Sequence, residues 1–214
     1  MSRTPVLDVF RPALRGAARL WFGLELRGVD NIPVDGPLII TPNHQTYADP
    51  PLVTIPVRRP VYYMAWDKLF SVPVFGRLIR TLRAFPVDIY SNDPKAVREA
   101  RRLVQEGAAV MIFPEGGRSF DGTLGHFKLG AFRLAVTLGA RVLPVTISGG
   151  FEAWPPQRAL PRRGRMTITY HPPLSAQAGA EPRAAARDLA ARARAVIATA
   201  LADGHAQAPR SSTR

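Results

Sequence analysis

The sequence contains no cysteine. That excludes disulfides, thiolate metal sites and a cysteine nucleophile, and the chain reads as cytoplasmic or cytoplasm-facing. Lysine is scarce, with Lys68, Lys95 and Lys128 the whole supply. No apolar run approaches the roughly 18 to 20 residues that span a bilayer, so no transmembrane span is expected. The first 26 residues are a poor secretory leader, because arginines interrupt any apolar stretch and no cleavage site follows. Three patterns are also missing. Without GxSxG there is no serine-hydrolase elbow, and without GxGxxG after a strand a dinucleotide site has no support. Without GxxxxGK[ST] there is no P-loop. His126, His171 and His205 lack metal-ligand spacing, so no metal site and no cofactor are expected.

What is present is a chain of 214 residues, 46% of them apolar, enough for one domain with a full core. Twenty-nine basic residues against 16 acidic give a net charge of +13. A charge of that size implies anionic partners: nucleic acid, an anionic membrane surface or phosphorylated substrates. A non-catalytic basic protein coating nucleic acid or anionic lipid is one reading. It has no recognisable nucleic-acid motif and lacks the aromatic interleaving of single-strand binders, so no nucleic-acid partner is expected.

Residues 1–27 read as an amphipathic basic helical segment. At about 100° per residue, Arg11, Arg15 and Arg19 share one side, opposite Phe10, Leu14, Ala17, Trp21 and Leu24. Such a helix either lies in a membrane interface or packs on the core with its arginines in water. Pro12 is expected to start or kink it.

Downstream, short apolar runs alternate with helical stretches. Residues 37–43, 60–66, 84–89, 108–115, 141–150 and 165–173 read as strands, from their β-branched and aromatic content between Gly and Pro. A helix follows Asp93 as cap, with Pro94 in its first turn and Gly107 at its end. Residues 126–139 and 181–204 read as two more. Alternation of this kind implies an α/β fold: a single domain with a mixed, mostly parallel sheet flanked by helices. The organisation expected is the basic segment 1–27, one domain over 28–204, and a disordered tail over 205–214.

Two polar segments fall at strand ends, where open α/β sheets gather ligands. In Asn43-His-Gln-Thr-Tyr-Ala-Asp49, a histidine and an aspartate stand five apart. If the chain turns, the carboxylate can fix the imidazole tautomer and His44 can take a proton from a hydroxyl. The bare spacing also arises by chance. In Phe113-Pro-Glu-Gly-Gly-Arg-Ser119, two glycines let backbone N–H groups approach an anion, and Arg118 could hold a phosphate. The other reading of this segment is a surface turn with an internal Glu115–Arg118 pair.

Taken in order, the segments resemble the lysophospholipid acyltransferase family, which includes bacterial 1-acylglycerol-3-phosphate acyltransferases. Residues 43–49 resemble its HxxxxD block, 66–88 its second region, 113–119 its FPEGTRS block, and 142–149 its fourth, a strand with an internal proline. The resemblance covers roughly residues 28 to 175 and implies acyl transfer from acyl-CoA or acyl carrier protein to a lysolipid hydroxyl. 1-Acylglycerol-3-phosphate is the leading acceptor, and the product would be phosphatidic acid, a step of phospholipid biosynthesis. It implies His44 as general base with Asp49 orienting it, no covalent enzyme intermediate, and Asn43, Glu115, Gly116, Gly117, Arg118 and Ser119 on the substrate side. Peripheral attachment to an anionic membrane surface at the cytoplasmic face follows from the substrate class. Two cationic positions of the family are altered. Ile89 stands where an arginine commonly follows Val-Asp, and Trp66 replaces a lysine, with Lys68 two places on. An acceptor lacking a phosphomonoester is therefore the alternative: a lysophospholipid, a lyso-aminolipid or a glycolipid hydroxyl. Gly117 stands where the family usually has threonine.

Overall fold

The computed structural model describes residues 5–88 and 93–206 of the chain. Its first element is helix α1 (Pro5–Phe22). It runs through Pro12, which is exposed, so the hydrogen bond that proline cannot make is lost on the solvent side. Leu14, Ala18 and Phe22, spaced by four, turn inward. Phe10, Leu20 and Trp21 stay outside, at 60%, 86% and 45% exposure. The inward stripe is thus not the face that the sequence pattern drew through Ala17 and Trp21. Gly23, at φ 49°, ends the helix. The next residues form an unexpected edge strand, β1 (Glu25–Arg27), so the sheet begins inside the segment expected to be helical.

The remaining order is β2 (Leu38–Pro42), α2 (Asp49–Thr54), β3 (Val61–Trp66), α3 (Pro73–Thr81), β4 (Ala84–Val87) and α4 (Pro94–Gln105). Then come β5 (Ala109–Met111), α5 (Gly130–Leu138), β6 (Arg141–Ser148), α6 (Gly150–Ala153), β7 (Thr167–Tyr170) and α7 (Pro182–Ala206). The six expected strands are all found. Strand β2 is buried throughout because helices cover both faces of the sheet, which is why it reads as continuous rather than alternating apolar sequence. Asp93 caps α4 by accepting from the N–H groups of Lys95 (2.9 Å) and Ala96 (3.1 Å), and it also reaches back to the N–H of Asp88 (3.1 Å). Helix α5 begins at Gly130, not at residue 126, because the Lys128 N–H is engaged by the Pro114 carbonyl at 2.8 Å. Helix α7 extends to Ala206, two residues past the expected boundary. Ile89 and the rest of the expected tail, 207–214, lie outside the described residues.

The sheet has seven strands in the order β1-β7-β6-β2-β5-β3-β4. Five neighbours from β6 to β4 are mutually parallel; β7 is antiparallel to β6, and β1 is parallel to β7. The expected α/β class with a mostly parallel sheet is what the chain forms. Alternation along the central strands divides the core. Ile39, Val110 and Val142 face α4, α5 and α7, whereas Leu38, Ile40, Met111 and Leu143 face the side of α1 and α2. Adjacent strands β2 and β5 therefore send their connections to opposite faces, β2 to α2 and β5 to α5. Where two neighbouring strands part in this way, a crevice opens beyond their carboxyl ends.

Candidate active site

The loop after β2 forms one wall of that crevice, and most of it is interior. Asn43, Gln45, Thr46 and Asp49 are all buried, Asp49 completely. Asp49 enters the first turn of α2 just before Pro50, and the loop folds back over its carboxylate. Four donors converge on it: the N–H groups of Gln45 (2.6 Å) and Thr46 (2.8 Å), the Thr46 hydroxyl (2.6 Å) and the His44 ring (Nδ1–Oδ2 2.9 Å). A carboxylate can only accept, so the imidazole carries its hydrogen on Nδ1. Among the described residues, the lone pair on Nε2 has no hydrogen-bond partner. The ring is stacked on Phe113 at 3.9 Å between centroids and keeps 17% of its side chain in contact with solvent. The chain thus fixes the tautomer, the tilt and the open nitrogen of one histidine.

The loop after β5 forms the other wall and hangs on the first by two backbone links. The His44 N–H donates to Glu115 Oε1 at 2.8 Å, and the Ser119 N–H donates to the His44 carbonyl at 2.8 Å. The second oxygen of Glu115 accepts the Gly125 N–H, also at 2.8 Å. Burial pushes the Glu115 carboxyl above its ordinary value, and the two N–H donors pull it partly back. With both oxygens engaged, Glu115 ties three loop segments together. It does not pair with Arg118. Instead the Arg118 guanidinium lies 3.6 Å above the ring centre of Tyr47, a residue of the first loop.

The sequence-predicted residues thus divide. His44 and Asp49 meet. Asn43, expected on the substrate side, uses its amide as a false strand residue: Nδ2 donates to the Ile147 carbonyl (3.0 Å) and Oδ1 accepts the Ile147 N–H (2.7 Å). Both groups are taken, so Asn43 pins the loop to β6. Ser119 likewise turns its hydroxyl to Asp121 (3.2 Å) and the Thr123 carbonyl (2.9 Å). Gly116 adopts φ 75°, Gly117 is exposed with open space around it, and Arg118 sits at the crevice rim. Lys68, beside the altered position Trp66, lies 5.4 Å over that indole. Gln45, not foreseen as a site residue, binds the Phe151 N–H (3.1 Å) and so fastens the loop to α6. Tyr47 was also missed. An aromatic side chain between His44 and Asp49 is the one signal that could have marked it. Among the described residues there is no cluster of His, Cys, Asp and Glu able to hold a metal.

Comparison with known proteins bears on this arrangement directly. A family model described as Acyltransferase matches residues 23–148, which include both loops and six of the seven strands. The chain is 31% identical over 184 residues to a 1-acyl-sn-glycerol-3-phosphate acyltransferase of Pseudomonas aeruginosa, covering 84% of this chain and 69% of that one. It is 29% identical over 171 residues to a chloroplastic protein of the same description from Brassica napus, covering 73% and 49% respectively. The chain spans about half the length of the plant and algal relatives it matches. Among solved structures it resembles PlsC of Thermotoga maritima, described as a 1-acyl-sn-glycerophosphate acyltransferase. The TM-score is 0.78 at 27% identity, over 97% of this chain and 81% of that one. The matched region takes in the His44–Asp49 loop, the Glu115–Ser119 loop and the strands that carry them, and the chain belongs to the Acyltransferase family.

Proposed function

We propose that this protein moves a fatty acyl group from a thioester, acyl-CoA or acyl carrier protein, to the hydroxyl of a lyso-glycerolipid. 1-Acylglycerol-3-phosphate is the first choice of acceptor. The observation that carries the reading is the 2.9 Å contact between His44 Nδ1 and the buried Asp49, which leaves Nε2 free at a crevice rimmed by Arg118.

In this reading Nε2 takes the proton of the acceptor hydroxyl as its oxygen attacks the thioester carbonyl carbon. Asp49 stabilises the imidazolium that forms. The tetrahedral intermediate collapses with cleavage of the C–S bond, and the departing sulfur takes the proton from His44. The products are an ester and a free thiol, with no enzyme-bound acyl group, in agreement with a site that holds no cysteine or serine elbow. Arg118 draws the acceptor's anionic head towards the loop after β5.

The acceptor's home is a bilayer, and the partner surface proposed is an anionic membrane. Among the described residues no helix is long and apolar enough to cross one. Support comes from the exposed Leu20 and Trp21 beside the exposed Arg15 and Arg19 on α1, the pattern of interfacial seating. Trp21 also stacks with Arg163, at 5.5 Å.

The test is free-thiol release from a long-chain acyl-CoA with a panel of lyso-acceptors, the lipid product identified by mass. Stoichiometric thiol and phosphatidic acid with lysophosphatidic acid is the expected result. Turnover only with acceptors lacking a phosphomonoester would reassign the acceptor, and no acyl transfer to any lysolipid from either carrier would overturn the reading.

A further inference from the structure

Helix α3 turns an apolar face to solvent. Val74 and Leu78, four residues apart, are 82% and 52% exposed, and Val72 just ahead of the helix is exposed as well. The roll of the helix is fixed from its other side. Gly76 is its buried residue, and a methyl group there would come within 2.5 Å of the Phe70 carbonyl oxygen and 2.9 Å of the carbonyl carbon. Contact that close with the 3-10 turn Asp67–Ser71 leaves Val74 and Leu78 no way inward. Arg77 and Arg80 flank the apolar pair and are themselves exposed, with the Arg80 guanidinium 4.7 Å over the Phe70 ring. Between Lys68 and Asp88 the only charged residues are Arg77, Arg80 and Arg83, so this stretch brings no acid of its own to offset them. The apolar surface also continues beyond the helix. Phe75 meets Tyr47 edge-on at 6.2 Å, and Tyr47 meets Trp154 edge-on at 6.2 Å. Trp154 in turn lines an apolar hollow with Leu20 and Trp21 of α1. Aromatic side chains thus link α3 to α1 across the loop that carries His44.

We infer that α3 is a second seat on an anionic lipid leaflet, separate from α1, with Val74 and Leu78 in the interface and Arg77 and Arg80 against the lipid phosphates. The inference takes the membrane partner from the function proposed above and assigns it a surface that the reading of α1 did not include. Exposed apolar side chains rimmed by basic ones mark an interaction surface. Tryptophan and tyrosine rings beside arginines are the composition of a membrane–water boundary, where the ring or the alkyl stem lies in apolar surroundings and the polar end stays wet. One amphipathic helix fixes how near the domain lies to a leaflet but lets it rock about the helix axis. A second seat, joined to the first through Tyr47, also fixes the tilt, and with it the direction in which the His44 crevice faces the leaflet. An acidic carrier protein would match Arg77 and Arg80, but it would leave the aromatic link to Trp154 and Trp21 without a purpose.

The experiment is flotation of the full chain with vesicles of phosphatidylcholine, alone or mixed with phosphatidylglycerol. Wild type is compared with the double variants Val74→Ser/Leu78→Ser and Arg77→Gln/Arg80→Gln, all checked for an unchanged unfolding midpoint. The serine pair should lower the partition constant about tenfold on both kinds of vesicle. The glutamine pair should lower it about tenfold or more on vesicles containing phosphatidylglycerol and little on phosphatidylcholine alone. Acyl transfer to a lysolipid carried in the mixed vesicles should fall in step with binding. Transfer to a short-chain acceptor dissolved as monomers should stay within about twofold of wild type, which a folding defect would not allow. An unchanged partition constant in both double variants, or a wild type that floats with neither vesicle, overturns the inference and leaves the acyltransferase reading standing. So does intact vesicle binding with a raised KM for acyl carrier protein thioesters alone, which would make α3 the docking site of an acidic carrier. Flotation that depends on α3 in a protein that acylates no lysolipid upholds the seat and overturns the proposed function.

Discussion

The two loops at the crevice are built on opposite plans. In the loop after β2, Asn43, Gln45, Thr46 and Asp49 are interior, and every polar side chain among them is bonded to backbone or to a neighbour. One nitrogen, His44 Nε2, is left over. In the loop after β5, Phe113, Pro114 and Glu115 are committed inward. Gly117 and Phe120 stand towards solvent, Phe120 at 78% exposure, and Arg118 is half-buried over Tyr47. One loop is a preorganised frame that fixes a single reactive atom, and the other is an open rim that offers charge. The frame is suited to proton transfer, where a small displacement is costly. The rim is suited to recognition, where the ligand completes the arrangement.

This division sets the order of effects that substitutions should have. Asp49→Asn strikes the frame at its centre, since an amide turns N–H groups against the donors of Gln45 and Thr46. We expect a loss of about a thousandfold or more in kcat and about 3 kcal/mol of stability, read by thiol release and by denaturant unfolding. An effect under tenfold would mean that the frame does not govern the chemistry. Glu115→Gln is next, because an amide offers one acceptor oxygen where the carboxylate holds two N–H groups, those of His44 and Gly125. A fall of about 10- to 100-fold in kcat with about 1–3 kcal/mol of destabilisation would place Glu115 with the frame. A change in KM alone would place it on the rim, as the sequence suggested.

Tyr47→Ala tests the rim. It removes the ring beneath Arg118, a contact of about 0.5–1 kcal/mol, so KM for an anionic acceptor should rise about two- to fivefold with kcat near wild type. A kcat defect larger than the KM defect would show that Tyr47 belongs to the frame after all. The smallest effect on activity is expected from Asp93→Ala, remote from both loops. Removing this cap should cost about 1 kcal/mol of stability and leave kcat/KM unchanged. Hydrogen bonds from Ala96 and Asp88 hold the Asp93 carboxyl below its ordinary value. Its contribution is therefore fully present above the usual carboxylate range and disappears as pH falls through the lowered pKa. Melting curves of wild type and variant should converge in acid, and a gap that widens there would contradict the assignment.

How far these features could be read in the sequence depends on how local their causes are. The strands β2 and β6 are legible because a strand buried on both faces must be a continuous apolar run. Strand β1 was hidden because three residues carry no period, and its existence depends on β7, about 140 positions away. The short helices α2 and α3, of six and nine residues, were not among the expected elements, because so few residues carry little periodic signal. Within the site, the spacing of His44 and Asp49 is local and could be read. The employment of Asn43, Glu115 and Ser119 could not. Each is a polar residue in a motif, and nothing in the motif distinguishes a side chain that greets a ligand from one that satisfies a distant backbone group. Asn43 finds Ile147, 104 residues on, and Glu115 finds the His44 N–H, 71 residues back.

The measurement that meets the central claim most directly is acyl-CoA-dependent thiol release by His44→Ala, beside wild type, with a lyso-acceptor that wild type uses. Among the described residues the imidazole makes one hydrogen bond, to Asp49, and the substitution leaves that carboxylate its three other donors. The account predicts an unfolding midpoint close to wild type and a rate reduced at least about a thousandfold. A folded variant that releases thiol within tenfold of the wild-type rate would contradict it, and the frame around His44 would then be holding that nitrogen for some other purpose.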